Sequence, residues 1–125
     1  MLGPEQIILI AIWIDMLPSD GWEAAQNAAS IFEPFPFVAQ FHDPHRAVGK
    51  AVAASIGAVG QTAWDMYLFY NSDTKWKGNA PKPLDWVHQL GHDEWAHPNK
   101  FYWGEQLPKA LRVKMQSMLE KRRSA

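Results

Sequence analysis

Five histidines, His42, His45, His88, His92 and His97, are the side chains of this sequence best suited to proton transfer near neutral pH or to metal ligation. His88 and His92 stand four residues apart, which on a helix brings both imidazoles to one face. Asp93, Glu94 and His97 follow and would complete a nitrogen and oxygen set for zinc or another divalent ion. His88, His92 and His97 are therefore the metal candidates. Against them, Gly91 falls where such a helix would end, and Gln89 stands where the zincin pattern has its general-base Glu. Histidines that cap turns or bond to backbone account for the same residues without a metal. The turn His42-Asp43-Pro44-His45 offers one imidazole and one carboxylate for a cation, or a single axial ligand for a porphyrin, but two close histidines beside a proline are more often only a turn. These residues name no cofactor.

Other chemistries are excluded or unsupported. The chain has no cysteine, which removes a disulfide framework, a thiolate nucleophile, an iron-sulfur cluster and any zinc site with sulfur ligands. It shows no Gly-rich phosphate loop, no nucleophile elbow and no RNA-binding aromatic motif. A net charge of -1 argues against bulk electrostatic binding of nucleic acid. Nothing nominates a catalytic centre, and an enzyme is the less favoured class.

The 125 residues are 47% hydrophobic and 20% charged, which fits one small domain spanning 1–125. Residues 7–14 form an unbroken apolar run. Such a run fits a buried strand or a buried helix equally, and its five isoleucines favour strand. Helix is nevertheless preferred, because no second strand-like segment is evident to pair with it, and an unpaired strand leaves backbone groups unsatisfied. No basic leader precedes the run, so no cleaved signal peptide is expected. An Ala-rich helix is expected to begin near Gly21, behind Asp20 and with Glu23 in its first turn. The stretch Glu33-Pro34-Phe35-Pro36-Phe37 reads as an extended connector carrying exposed or docking phenylalanines.

Residues 46–70 contain no proline and are read as one long central helix, with Asp43 as its cap. Its apolar part, 51–70, approaches the roughly 20 residues of a membrane span. Arg46 and Lys50 at one end, Trp64, Tyr67, Phe69 and Tyr70 at the other, and the small residues Gly49, Ala53 and Gly57 support a span. Gln61 and Asp65 oppose it, and the same periodicity suits a core helix of a soluble bundle. Residues 71–83 read as a loop, with Asp85 capping a short helix up to Leu90. A basic amphipathic helix is expected over 108–123. The fold class is thus all-α: a small helical domain with a long central helix, a possible single span, and a basic C-terminal helix.

Charge and aromatic content point to partners. Residues 1–45 hold six acids and no Lys or Arg, whereas 46–125 hold twelve bases and seven acids, a net of −6 against +5. The two halves either neutralise each other within one domain or leave a basic C-terminal segment for an acidic partner or anionic membrane. Seven Trp, six Phe and five Met exceed what one core of this size readily encloses. The leading expectation is a non-catalytic accessory subunit of a larger, membrane-associated assembly, contacting its partners through Trp64, Tyr67, Tyr70, Trp76, Trp86, Arg112, Arg122 and Arg123. The alternatives are a small soluble metal- or cofactor-binding protein, an enzyme among the options, using His88, His92 and His97, and a soluble helical homodimer that hides its indoles in a self-interface. Either alternative would place the chain in the cytoplasm.

Overall fold

A computed structural model describes residues 7–90 and 95–124 of the chain, with side chains described up to Lys121. Its element order is β1 (Ile10–Ile14), α1 (Trp22–Ala29), β2 (Ala39–Asp43), α2 (Ala47–Ser55), β3 (Met66–Phe69), β4 (Asp85–His88) and α3 (Gln106–Ser124). The fold is mixed α/β, not all-α. β1 and β2 pair in parallel with Ile10 opposite Ala39 and Ile14 opposite Asp43, and α1 is their crossover. β3 and β4 pair antiparallel, Met66 opposite His88 and Phe69 opposite Asp85.

The first correction concerns residues 7–14. The partner that a strand needs does exist, in Ala39–Asp43, but its Ala-Gln-Phe-His-Asp sequence alternates polar and apolar residues over five positions behind a proline-rich connector, and so gives little signal. Ile10, Ile12 and Ile14 follow their β-propensity once that partner is present.

The second correction concerns the central helix and its possible membrane span. α2 ends at Ser55. Gly57 takes a left-handed φ of 87°, the Gly57 N–H donates to the Ala54 carbonyl and the Ala58 N–H to the Ala53 carbonyl, which together form a Schellman closure. Gly60 is also left-handed, at φ 89°. After Asp65 the chain enters β3, so the aromatic end of the supposed span is a strand. Among the described residues no helix is long and apolar enough to cross a membrane. A third correction falls at 85–90: Asp85–His88 is β4 and not a short helix, since Trp86 and Val87 pair with Leu68 and Tyr67.

The helices near Gly21 and at the C-terminus form as expected, the latter extended to Gln106–Ser124. Asp43 caps α2 from outside the helix: its buried carboxylate accepts the Gly49 N–H at 3.1 Å. The core gathers Val52 and Ala53 of α2 with Ala63, flanked by Val48, Ala58, Met66, Leu68 and Trp95. Gly49 lets α2 pass close to β1. A Cβ there would lie 2.5 Å from Ile14 Cδ1 and 2.8 Å from the Ala63 carbonyl oxygen.

Candidate functional site

The parallel pair has two faces of different character. Ala11, Trp13, Gln40 and His42 point to the side covered by α1 and the turn after it. Trp13 Nε1 donates to Gln40 Oε1 at 2.9 Å, Gln40 Nε2 donates to the Ala29 carbonyl at 3.4 Å, and the Trp13 and Phe32 rings lie 6.2 Å apart. The opposite face carries Ile10, Ile12, Ala39 and Phe41, which alternate with the inner residues as strand geometry requires. Among the described residues α2 covers only the C-terminal end of this face, where Ile14 and Asp43 meet Gly49, and the rest is in water: Ile10 is 61% exposed, Ile12 41% and Phe41 58%. Ile8 continues the row, and Phe35 and Phe37, in edge-to-face contact at 6.1 Å on the connector before β2, are exposed as well.

At the C-terminal end of the same strands lies a polar cluster. His42 Nε2 and Asp15 Oδ1 are 2.8 Å apart, and the Trp22 ring lies 5.6 Å from the imidazole. Arg46, whose own backbone is left-handed at φ 61°, donates from Nε to the Asp15 carbonyl at 2.8 Å and from Nη2 to the Met16 carbonyl at 3.3 Å. The Asp20 carboxylate accepts the N–H groups of Leu17 and Met16, and these bonds hold it below the usual carboxylate range. A cavity of about 220 Å³ opens beside Asp15 and Asp20, walled by Trp13, Ile14, Gly21 and the alanines of α1. The ends of parallel strands are where α/β folds commonly receive ligands.

The histidines read as metal candidates are placed differently. His88 is fully buried, with its ring 5.7 Å from Trp86 and 5.8 Å from Phe101. The Leu90 N–H donates to its Nδ1 at 3.1 Å, so Nε2 carries the hydrogen that goes to the His97 carbonyl at 2.8 Å. Both ring nitrogens are thereby engaged with backbone. His97 Nδ1 accepts the Asn99 N–H at 3.2 Å. His92 lies outside the described residues. Among the described residues no three His, Asp or Glu side chains converge as a metal set requires.

The residues expected to make contacts are dispersed. Trp64 and Tyr70 are half-buried, and burial raises the Tyr70 phenol. Tyr67 is exposed on β3, its phenol raised by desolvation and by the Asp65 charge. Trp76 is exposed in the loop and donates to the Gly78 carbonyl at 3.2 Å. Trp86 lies beneath Lys100, whose Nζ is 5.3 Å from the ring. Arg112 is exposed on α3, and Arg122 and Arg123 are in the same helix, their side chains outside the description. The structure thus brings Trp86 to His88 and the His88 ring to the His97 carbonyl.

Two features went unread in the sequence. The outer face of β1 and β2 is hidden while residues 7–14 read as a helix, and Asp15 and His42 do not suggest a pair because they are 27 positions apart. Two apolar or alternating runs that each end on an acid, Ile14-Asp15 and His42-Asp43, were the available sign. No model of a known family matches the chain, and neither the curated proteins nor the solved structures compared with it gave a match.

Proposed function

We propose that this chain is a non-catalytic interaction subunit that docks on a protein partner through the outer face of β1 and β2. The observation that carries the reading is the row Ile8, Ile10, Ile12 and Phe41, a contiguous apolar sheet face left in water on a chain of this size. Antiparallel sheets tolerate one solvated face, but a parallel pair is ordinarily covered on both. Here α1 covers one face, whereas among the described residues the other is met only at its C-terminal end, where α2 lies on Ile14 and Asp43. Large exposed apolar patches on small domains mark interaction surfaces.

A protein suits this face better than a membrane. The apolar row belongs to the half of the chain with six acids and no Lys or Arg, so anionic headgroups would be repelled where the greasy contact forms. The exposed bases of α3, Lys109, Arg112 and Lys121, are a separate attachment point for an acidic surface.

Phe41→Glu tests the reading, because the side chain is exposed and its loss removes no core contact. The tagged variant should melt within a few degrees of wild type yet no longer retain the proteins that wild type carries through a native purification. Equal retention by both chains would end the proposal.

A further inference from the structure

The connection between β3 and β4 is longer than their pairing needs. Antiparallel neighbours are usually joined by about 2–5 residues, whereas here the chain runs from 70 to 84 before β4 begins. Its base is closed. The Leu84 N–H donates to the Phe69 carbonyl at 2.8 Å, and the next residue, Asp85, is held by Lys100 and by Lys114 of α3. Further out the backbone folds on itself: the Thr74 N–H donates to the Asn71 carbonyl at 3.0 Å, and the Asn79 N–H to the Lys77 carbonyl at 2.9 Å. The second bond closes a tight turn around Gly78, whose left-handed φ of 74° that turn requires.

Trp76 stands at this turn, 49% exposed, between the exposed lysines Lys75 and Lys77. Its Nε1 donates to the Gly78 carbonyl at 3.2 Å. The one donor of the indole is therefore met within the turn, which lowers the cost of carrying the ring into a less polar medium and fixes it in advance. Among the described residues neither Lys75 nor Lys77 belongs to an ion pair, and the same holds for Lys82 further along the loop. Residues 71–84 carry these three lysines against a single acid, Asp73. The loop is a basic projection tipped by one aromatic ring.

Independently of the docking reading above, we propose that this turn attaches the protein to an anionic lipid surface. Trp is the side chain that settles at the boundary between headgroups and acyl chains, and lysines beside it extend their stems to the acidic headgroups. Apolar and electrostatic attraction then act together at one place, as reversible attachment requires. The contact is peripheral, since a turn enters the headgroup layer and no element has to cross. A single-stranded nucleic acid would want successive rings on which to stack its bases, and residues 71–84 hold only one aromatic side chain.

Co-sedimentation of the full chain with vesicles tests this, using phosphatidylcholine alone and phosphatidylcholine mixed with an equal amount of phosphatidylserine. Wild type should pellet with the mixed vesicles, less so at high salt, and stay in solution with phosphatidylcholine alone. The double variant Lys75→Glu/Lys77→Glu should weaken partitioning by about tenfold or more. Trp76→Ala should weaken it several-fold, with Trp76→Phe between the two. All three side chains are exposed, so melting temperatures close to wild type are expected and show that each variant is folded. Phe41→Glu should pellet as wild type does, which separates this surface from the sheet face. Wild type left in the supernatant with the mixed vesicles overturns the inference. Pelleting that Lys75→Glu/Lys77→Glu leaves untouched also overturns it, as does pelleting abolished only by Lys109→Glu/Arg112→Glu, because α3 would then be the attachment. Binding of a single-stranded oligothymidylate in place of the vesicles would assign the turn to nucleic acid and likewise end the proposal.

Discussion

Asp85 ties three parts of the chain together. Its carboxylate accepts from Lys100 Nζ at 2.8 Å, from Lys114 Nζ of α3, and from the Trp86 N–H at 2.8 Å. Desolvation pushes the carboxyl up, but the bonds from Lys100, Lys114 and Trp86 outweigh it and hold it at about 2. The folded form therefore binds this proton less readily than the unfolded form, whose carboxyl has the ordinary value of 3.8. The contribution of Asp85 to stability is whole above about pH 4 and is lost as pH falls through about 2. Urea titrations at a series of pH values should show wild type losing more stability across that interval than Asp85→Asn, whose amide does not titrate. Parallel pH dependence in the two would remove the clasp. Asp65 is shifted the other way, raised by desolvation with the nearby His88 as a smaller opposing influence, and it stands at a left-handed φ of 53° where β3 begins.

At the scale of elements, glycines decide where helices stop and how closely they approach. Gly49 has no space for a side chain, and the nearest obstacle of fixed position is the Ala63 carbonyl, which cannot turn aside as Ile14 Cδ1 can. Gly49→Ala should cost about 1–3 kcal/mol, as overpacking in a tight contact does. Thermal melting would show it as a fall of several degrees, and an unchanged midpoint would mean that α2 does not lie against β1. The same elements show how much of the fold the sequence discloses. α1 and α3 were legible because capping and amphipathic periodicity are local signals. The membrane-like stretch misleads because Gly57 suits close helix packing in sequence, whereas in the structure it closes the helix. β1 was hidden because its evidence lies in a pairing with residues 29 positions further on, and no local rule reports a partner at that range. The Asp15 and His42 pair depends on the same long-range register, so it became visible only with the strands.

For the molecule as a whole, the surplus of large aromatic side chains takes a definite form. Trp22, Trp76 and Trp103 are 62%, 49% and 67% exposed, while Trp13, Trp64, Trp86 and Trp95 are half-buried. Acrylamide quenching of the monomer should therefore resolve a readily reached and a protected fraction. Replacing Trp22, Trp76 and Trp103 with Phe should abolish most of the reached fraction and spare the other. A single uniform quenching constant in wild type would contradict the exposures on which the interaction reading depends.

The crossover between β1 and β2 also sets conditions for synthesis. When Ile14 leaves the ribosome, its strand partner has not been made, and at translation rates of about 5–20 residues per second the wait until Asp43 emerges is on the order of seconds. For that interval every nascent chain offers an unpaired, isoleucine-rich strand to whatever surrounds it, a chaperone included.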